Sequence, residues 1–267
     1  MQSSNYDFRN LQTNSTYDVD LLPPEAMSFK WHGNYMYLEE LIPGYQTLQV
    51  TGRELMGYKV NEENPPGMDG TLLESAYLPA RDIEIKYLLK TDDPNDFRQK
   101  YNKLMHFLSN QALSFNFRDE PDYYYSGILT DADTPDGGKL EVVSSFTLHC
   151  PSPWKFSEVK TLTVGNGGKI EDNYLIYPVI PESITFKLIG ADFRFTNQTQ
   201  NQTFGLMIAH NDVVLTPQKG EVSASGNLIL NDIMIGSQLE KLTIKSGDVI
   251  QITNGSEAVI KYRRWLL

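Results

Sequence analysis

Apolar residues in this chain recur mostly at a spacing of two. Leu113, Phe115 and Phe117 alternate with Ser114 and Asn116, the period of a strand with one buried face. Arg81-Asp-Ile-Glu-Ile-Lys-Tyr-Leu-Leu89 puts Ile83, Ile85 and Tyr87 on one side and charges on the other. That pattern predicts a half-exposed antiparallel strand. Upstream, Ser28–Met36 reads as an opening strand and Thr47–Val50 as a second, with Leu48 and Val50 as its apolar positions. Pro43-Gly44 marks a turn between them, and the stretch from Asn61 to Gly70 is dense in turn residues and predicts an exposed loop. Asp119-Glu-Pro-Asp122 predicts a break, because proline cannot continue a paired strand and acids favour turns. Tyr123, Tyr124 and Tyr125 resume the strand, and Phe146, Leu148 and Cys150 share one face of a later one.

One segment departs from this period. Asp93 is placed to cap a helix, Pro94 suits its first position, and Asp96 lies at its positive end. Phe97, Tyr101, Leu104, Met105 and Leu108 form a stripe at helical spacing, with Arg98, Lys100 and Lys103 largely off it. A helix near 94–109 covering one sheet face is predicted. A calmodulin-target helix would be more basic.

Pro151-Ser-Pro-Trp-Lys-Phe156 excludes a regular helix and favours an extended link. It divides the chain into residues 1–155 and 156–267. Beyond it, short alternating runs follow: Ile184–Leu188, Phe193–Phe195, Phe204–Ile208, Val213–Leu215, Leu228–Leu230, Leu242–Ile244, Val249–Ile252 and Val259–Tyr262. Turn residues separate them, as at Lys219-Gly220, Ser225-Gly-Asn227 and Ser246-Gly-Asp248. The expected class is mainly β: an antiparallel β domain with one α-helix, then a β-sandwich.

Charge adds an asymmetry. The net formal charge is −11; residues 1–155 hold 13 basic and 23 acidic side chains, and residues 156–267 hold 10 and 11. Such an excess argues against a general or sequence-specific nucleic-acid surface, which needs basic clusters. It suits a wall that DNA must pass without sticking. No apolar run approaches membrane-spanning length, so membrane insertion is not expected. Met1-Gln-Ser-Ser-Asn-Tyr-Asp7 lacks the regions of a signal peptide, so a secretory route is not expected either.

Candidate chemistry is sparse. Cys150 is the only cysteine, which excludes an internal disulfide and a multi-cysteine zinc site. It reads as a small buried hydrophobe, with His149 on the opposite strand face. His32, His106, His149 and His210 stand apart from one another. Gly165-Asn-Gly-Gly-Lys169 lacks the hydroxyl residue and helix of a phosphate loop and reads as a turn. Asp119, Glu120 and Asp122 hint at a hydrolase or a calcium site. Adjacent acids on one turn do not face each other across a cleft, and too few further ligands can be assigned. His210-Asn211 evokes a galectin sugar site, but no arginine follows, and Trp265 at the chain end is the only tryptophan of that half. Asn197 and Asn201 match the glycosylation pattern, which carries no weight without a secretory signal. No catalytic, cofactor-binding or metal-binding residue is assigned, and no cofactor is expected.

The order of these features resembles the Dit (distal tail) family of long-tailed bacteriophages. The matching features are the Arg81–Leu89 strand, the Pro94–Ser109 helix, the Phe115–Tyr125 segment, the Phe146–Trp154 closure and the Ile260-Lys-Tyr-Arg-Arg-Trp265 ending. The resemblance implies a ring-forming N-terminal domain followed by a galectin-like sandwich, in a structural, non-enzymatic virion protein of the tail tip made in the host bacterial cytoplasm. It implies a homohexamer whose partners are the major tail protein, a tail-associated lysin or baseplate hub protein and the tape measure protein, with receptor-binding proteins docking on the sandwich. It also implies an arm reaching the neighbouring subunit, here within Tyr45–Pro79. The alternative is a host-adhesion module that binds cell-wall saccharide through residues 156–267.

Overall fold

The computed structural model describes residues 22–135 and 138–267. Contacts group the chain into two units. The first runs to Glu54 and adds Ala80–Pro121 and Ser126–Pro151; the second holds Leu55–Pro79, Asp122–Tyr125 and Ser152–Leu267.

Up to Cys150 the strands are β1 (Met27–Trp31), β2 (Asn34–Tyr37), β3 (Tyr45–Thr51), β4 (Lys59–Glu63), β5 (Leu72–Tyr77), β6 (Arg81–Lys90), β7 (Leu113–Phe117), β8 (Glu120–Ala132) and β9 (Glu141–Cys150). Helix α1 (Leu38–Leu41) precedes β3, and α2 (Pro94–Leu108) precedes β7. Seven strands run in the order β2-β1-β7-β8-β9-β6-β3 within one nine-stranded sheet, while β4 and β5 form a separate two-stranded ribbon.

Alternation explains the first sheet. Ile83, Ile85, Tyr87 and Leu89 of β6 are buried and meet Leu148, Phe146, Ser144 and Val142 across the β6–β9 ladder. The Asp93 carboxylate accepts from the Asn95 and Asp96 amides at 2.7 and 2.9 Å, so α2 starts where the sequence predicts. Such a cap is worth about 1 kcal/mol. The buried face of α2 carries Leu104, Phe107 and Leu108. Phe107, which the predicted stripe omits, packs 5.2 Å from Phe29, whereas Met105 is exposed.

Three other expectations change. Ser28–Met36 is a hairpin, because His32 and Gly33 both take positive φ (49° and 92°) and reverse the chain. Such two-residue turns match strand twist. The acidic break is shorter than predicted: the turn is Arg118-Asp119, and β8 begins at Glu120 and runs through Pro121. Proline is tolerated at the start of a strand, and the Pro121 carbonyl still accepts from the Asn116 side chain at 3.0 Å. Finally, Asn61, Glu62 and Glu63 lie in β4 rather than in a loop.

The second unit adds β10 (Lys155–Ser157), β11 (Lys160–Gly165), β12 (Ser183–Leu188), β13 (Phe193–Asn197), β14 (Gln202–Leu206), β15 (Val213–Thr216), β16 (Glu221–Ala224), β17 (Asn227–Leu228), β18 (Ile250–Thr253), β19 (Gly255–Tyr262) and β20 (Trp265–Leu266). One sheet runs β11-β19-β12-β15-β16-β17 and another β14-β13-β18. Their inner faces share one core, in which Phe186 lies 5.0, 5.3 and 5.3 Å from Phe193, Phe195 and Phe204. This is a sandwich built by alternation. Strand β10 pairs with β20 and with Tyr123–Tyr124 of β8. Two predicted strands differ. Leu228–Leu230 is a two-residue strand leading into a 3-10 turn, with both leucines exposed. Leu242 and Ile244 are buried, but only a single bridge, Val179 to Ile244, pairs that segment.

Candidate assembly surface

Two of the three acids singled out in the sequence are structural ties. Asp119 accepts two hydrogen bonds from the Arg53 guanidinium, at 2.9 and 3.1 Å, and Glu120 lies 3.8 Å from the same group. Arg53 also stands 4.4 Å above the Phe117 ring. One cation therefore serves two of the three acids and anchors the end of β3 to the β7–β8 turn. Asp122 follows along β8, exposed.

Two of the histidines flank one tryptophan, and the other two pair with aspartates. His32 occupies the β1–β2 turn with its ring 4.8 Å from Trp31, and His106 lies 5.7 Å from the same ring. His149 meets Asp82 at 2.6 Å across the β6–β9 ladder, and His210 meets Asp232 at 2.8 Å. The Asp232 contact was invisible in sequence, since 22 residues separate the pair. Trp265 donates its indole N–H to the Pro178 carbonyl at 3.1 Å and lies 5.6 Å from Trp154, the two rings tilted by 36°. Among the described residues, no group of three or more His, Cys, Asp or Glu side chains is placed to hold a metal ion. No helix among them is long and apolar enough to cross a membrane.

Cys150 is buried at the end of β9. Burial pushes its thiol up to about 12, an effect that Arg81 opposes. The thiolate is the reactive form. Ellman's reagent at pH 8 should therefore leave the native chain unmodified over minutes and titrate it rapidly once guanidinium unfolds it. Rapid reaction in the native state would contradict the buried placement.

The exposed ribbon has the opposite character. Every residue of β4 and β5 is exposed, and so are Tyr58, Val60, Met68, Leu72, Leu73 and Tyr77 among the large apolar side chains of the segment. Val60 faces Ala76 and Glu62 faces Leu73 across the ladder. The register shifts between Asn61 and Glu62, so simple alternation is interrupted there. Two-stranded ribbons are marginal in water by themselves, and clustered exposed apolar groups mark interaction surfaces.

The ribbon's root is held firmly. Arg81, 2% exposed and on the buried face of β6, donates to the Gly52 and Glu54 carbonyls at 2.9 and 3.3 Å. Gly52 has φ 89°, and a Cβ there would lie 2.0 Å from the Asp82 carbonyl oxygen. Sequence alternation expected β6 to bury only apolar groups, and Arg81 is the residue it missed.

The C-terminal arginines organise the second unit. Asp172, 7% exposed, accepts from the Tyr262 hydroxyl at 2.6 Å, the Arg264 Nε at 2.7 Å and the Tyr174 amide at 3.1 Å. Burial alone would raise its pKa, but these hydrogen bonds and the Arg264 charge together hold the carboxyl below its ordinary range. Arg263 reaches Glu182 at 2.5 Å and the Tyr124 hydroxyl at 2.6 Å.

Comparison with known proteins adds the following. Residues 33–148 match the phage tail protein RIFT-related domain. The distal tail protein of Bacillus phage SPP1 is 26% identical over 130 residues, which are 47% of this chain and 51% of that protein. This alignment thus spans about half the length of the curated relative. The crystal structure of SPP1 Dit, described as a paradigm of the hub adsorption apparatus in phages infecting Gram-positive bacteria, is similar in fold. Its TM-score is 0.72 at 17% identity, covering 89% of this chain and 98% of that one.

Proposed function

We propose that this chain is a member of the distal tail (Dit) protein family of phages, to which it is similar in sequence and fold, and that six copies close into a ring at the tip of a siphovirus tail. The ring joins the tail tube of major tail protein to a tail-associated lysin or baseplate hub protein, around a channel that holds the tape measure protein. Ring contacts lie within residues 1–155, and the galectin-like sandwich of residues 156–267 offers a docking module for receptor-binding proteins. The chain works through shape, without a reacting centre.

The observation that carries this reading is the β4–β5 ribbon. It lies inside the stretch that matches the tail-domain family, and each of its strand residues faces solvent. Head-to-tail contacts between unlike patches of identical subunits close into rings when the rotation permits. A ribbon that packs on the next subunit is such a contact. The net charge of −11 supports a channel through which DNA passes without binding.

Immunogold labelling of intact particles with antibodies against the chain tests the reading. Gold at the tail end opposite the head is expected. Gold confined to the head, or particles that lack the chain, would overturn it.

A further inference from the structure

Strand β3 ends the order β2-β1-β7-β8-β9-β6-β3, with β6 on one side and, among the described residues, no strand on the other. A free edge offers backbone amides to any second strand, including the same strand of another copy. Here three amides along the edge are already engaged by side chains. The Thr47 N–H donates to Glu39 Oε1 at 2.9 Å, the Val50 N–H to Glu25 Oε2 at 3.0 Å, and the Gly52 N–H, one residue past the strand, to Glu54 Oε2 at 2.7 Å.

Chain proximity accounts for only one of the three. Glu54 is two residues from Gly52, whereas Glu39 and Glu25 lie 8 and 25 residues from the amides they cover. They arrive from separate segments, α1 and the stretch before β1. Glu39 is held there at a cost: it is 3% exposed, and its Oε2 has no hydrogen-bond partner. Burying a carboxylate oxygen unpaired is unfavourable, so an apolar residue at this position would pack more cheaply. What the carboxylate supplies in return is a charge-assisted acceptor, stronger than the peptide carbonyl an incoming strand would bring. The ladder also slips between Thr47 and Gln49. Such an irregularity spoils the regular spacing that strand addition needs.

We propose that Glu25, Glu39 and Glu54 form a carboxylate guard along the outer edge of β3, which prevents two copies of this chain from pairing edge to edge. The guard acts on β3 alone, and the β4–β5 ribbon remains open.

The test uses Glu25→Ala with Glu54→Ala in the full chain, leaving buried Glu39 in place. Light scattering against concentration, alongside a thermal melt, gives the readout. Association beyond the wild-type oligomer should begin at a concentration about tenfold lower for each carboxylate removed, a shift equivalent to ~1.4 kcal/mol. Leu48 is exposed on β3. Adding Leu48→Lys to the double variant places a charge on the uncovered edge and should restore wild-type behaviour. Unchanged association in the double variant would overturn the proposal. So would added association that Leu48→Lys does not reverse, or association that appears only together with a fall in melting temperature.

Discussion

Replacing residues 56–78 by a short glycine–serine link is expected to abolish ring formation and leave a folded single subunit. The segment contributes nothing to the buried cores: both of its strands are exposed throughout, and they pair only with each other. None of its residues is buried, so the melting temperature should stay near that of the full chain, as for surface changes generally. Its root, Gly52–Glu54 with Arg81, remains in place to hold the shortened connection. The expected loss is therefore one of association, read as a fall in molar mass from the assembly to one chain. Val60→Asp with Leu73→Asp should act in the same direction by replacing exposed apolar groups of the ribbon with charge, without altering chain length. A ring that survives both changes would mean that the subunits meet through other surfaces.

The largest effect on folding is expected at Asp172. Asp172→Ala leaves the Arg264 guanidinium, 19% exposed, without its carboxylate and deprives the Tyr262 hydroxyl of its acceptor. Breaking a buried ion pair by removing one partner costs about 3–5 kcal/mol. Urea denaturation followed by tryptophan fluorescence should show the midpoint falling accordingly, since Trp154 and Trp265 both report on the second unit. The pH dependence follows from the depressed pKa of the folded state. Above the ordinary carboxylate value of about 3.9 the contribution is complete. As pH falls through the lower folded value, the native state must take up a proton that the unfolded chain already holds, and the stabilisation disappears. Asp172→Asn should flatten that acid limb. An unaltered acid limb would assign it to other carboxylates.

Much of the architecture could be read from residue order because the cues were local. Asp93-Pro94 announces α2 through its capping chemistry, and the alternation in Arg81–Leu89 defines β6. Long-range satisfaction of polar groups could not be read in this way. Arg81 belongs inside because two carbonyls at the ribbon's root accept its hydrogens, and Glu39 belongs inside because it covers an amide of β3. Neither demand exists until the strands have met. The β1–β2 hairpin was missed for a different reason: His32-Gly33 is an uncommon pair for a turn in which both residues take positive φ. Exposed apolar residues misled in the opposite direction. Leu228 and Leu230 have strand-like spacing, but they lie on the surface beside a 3-10 turn. The ribbon, as the candidate contact, was legible only as a broad segment, since surface placement is a property of the finished fold.

Cys150, enclosed at the end of β9, has a practical consequence for mapping the tail tip. Because it is the chain's only sulfhydryl, the natural sequence serves as a silent background for engineered cross-links. A cysteine introduced at Val60 and another at a trial position elsewhere would bridge neighbouring subunits only where the two approach within disulfide reach. A gel ladder from oxidised particles would then trace the seam between copies, residue by residue, with this chain's own thiol buried out of reach.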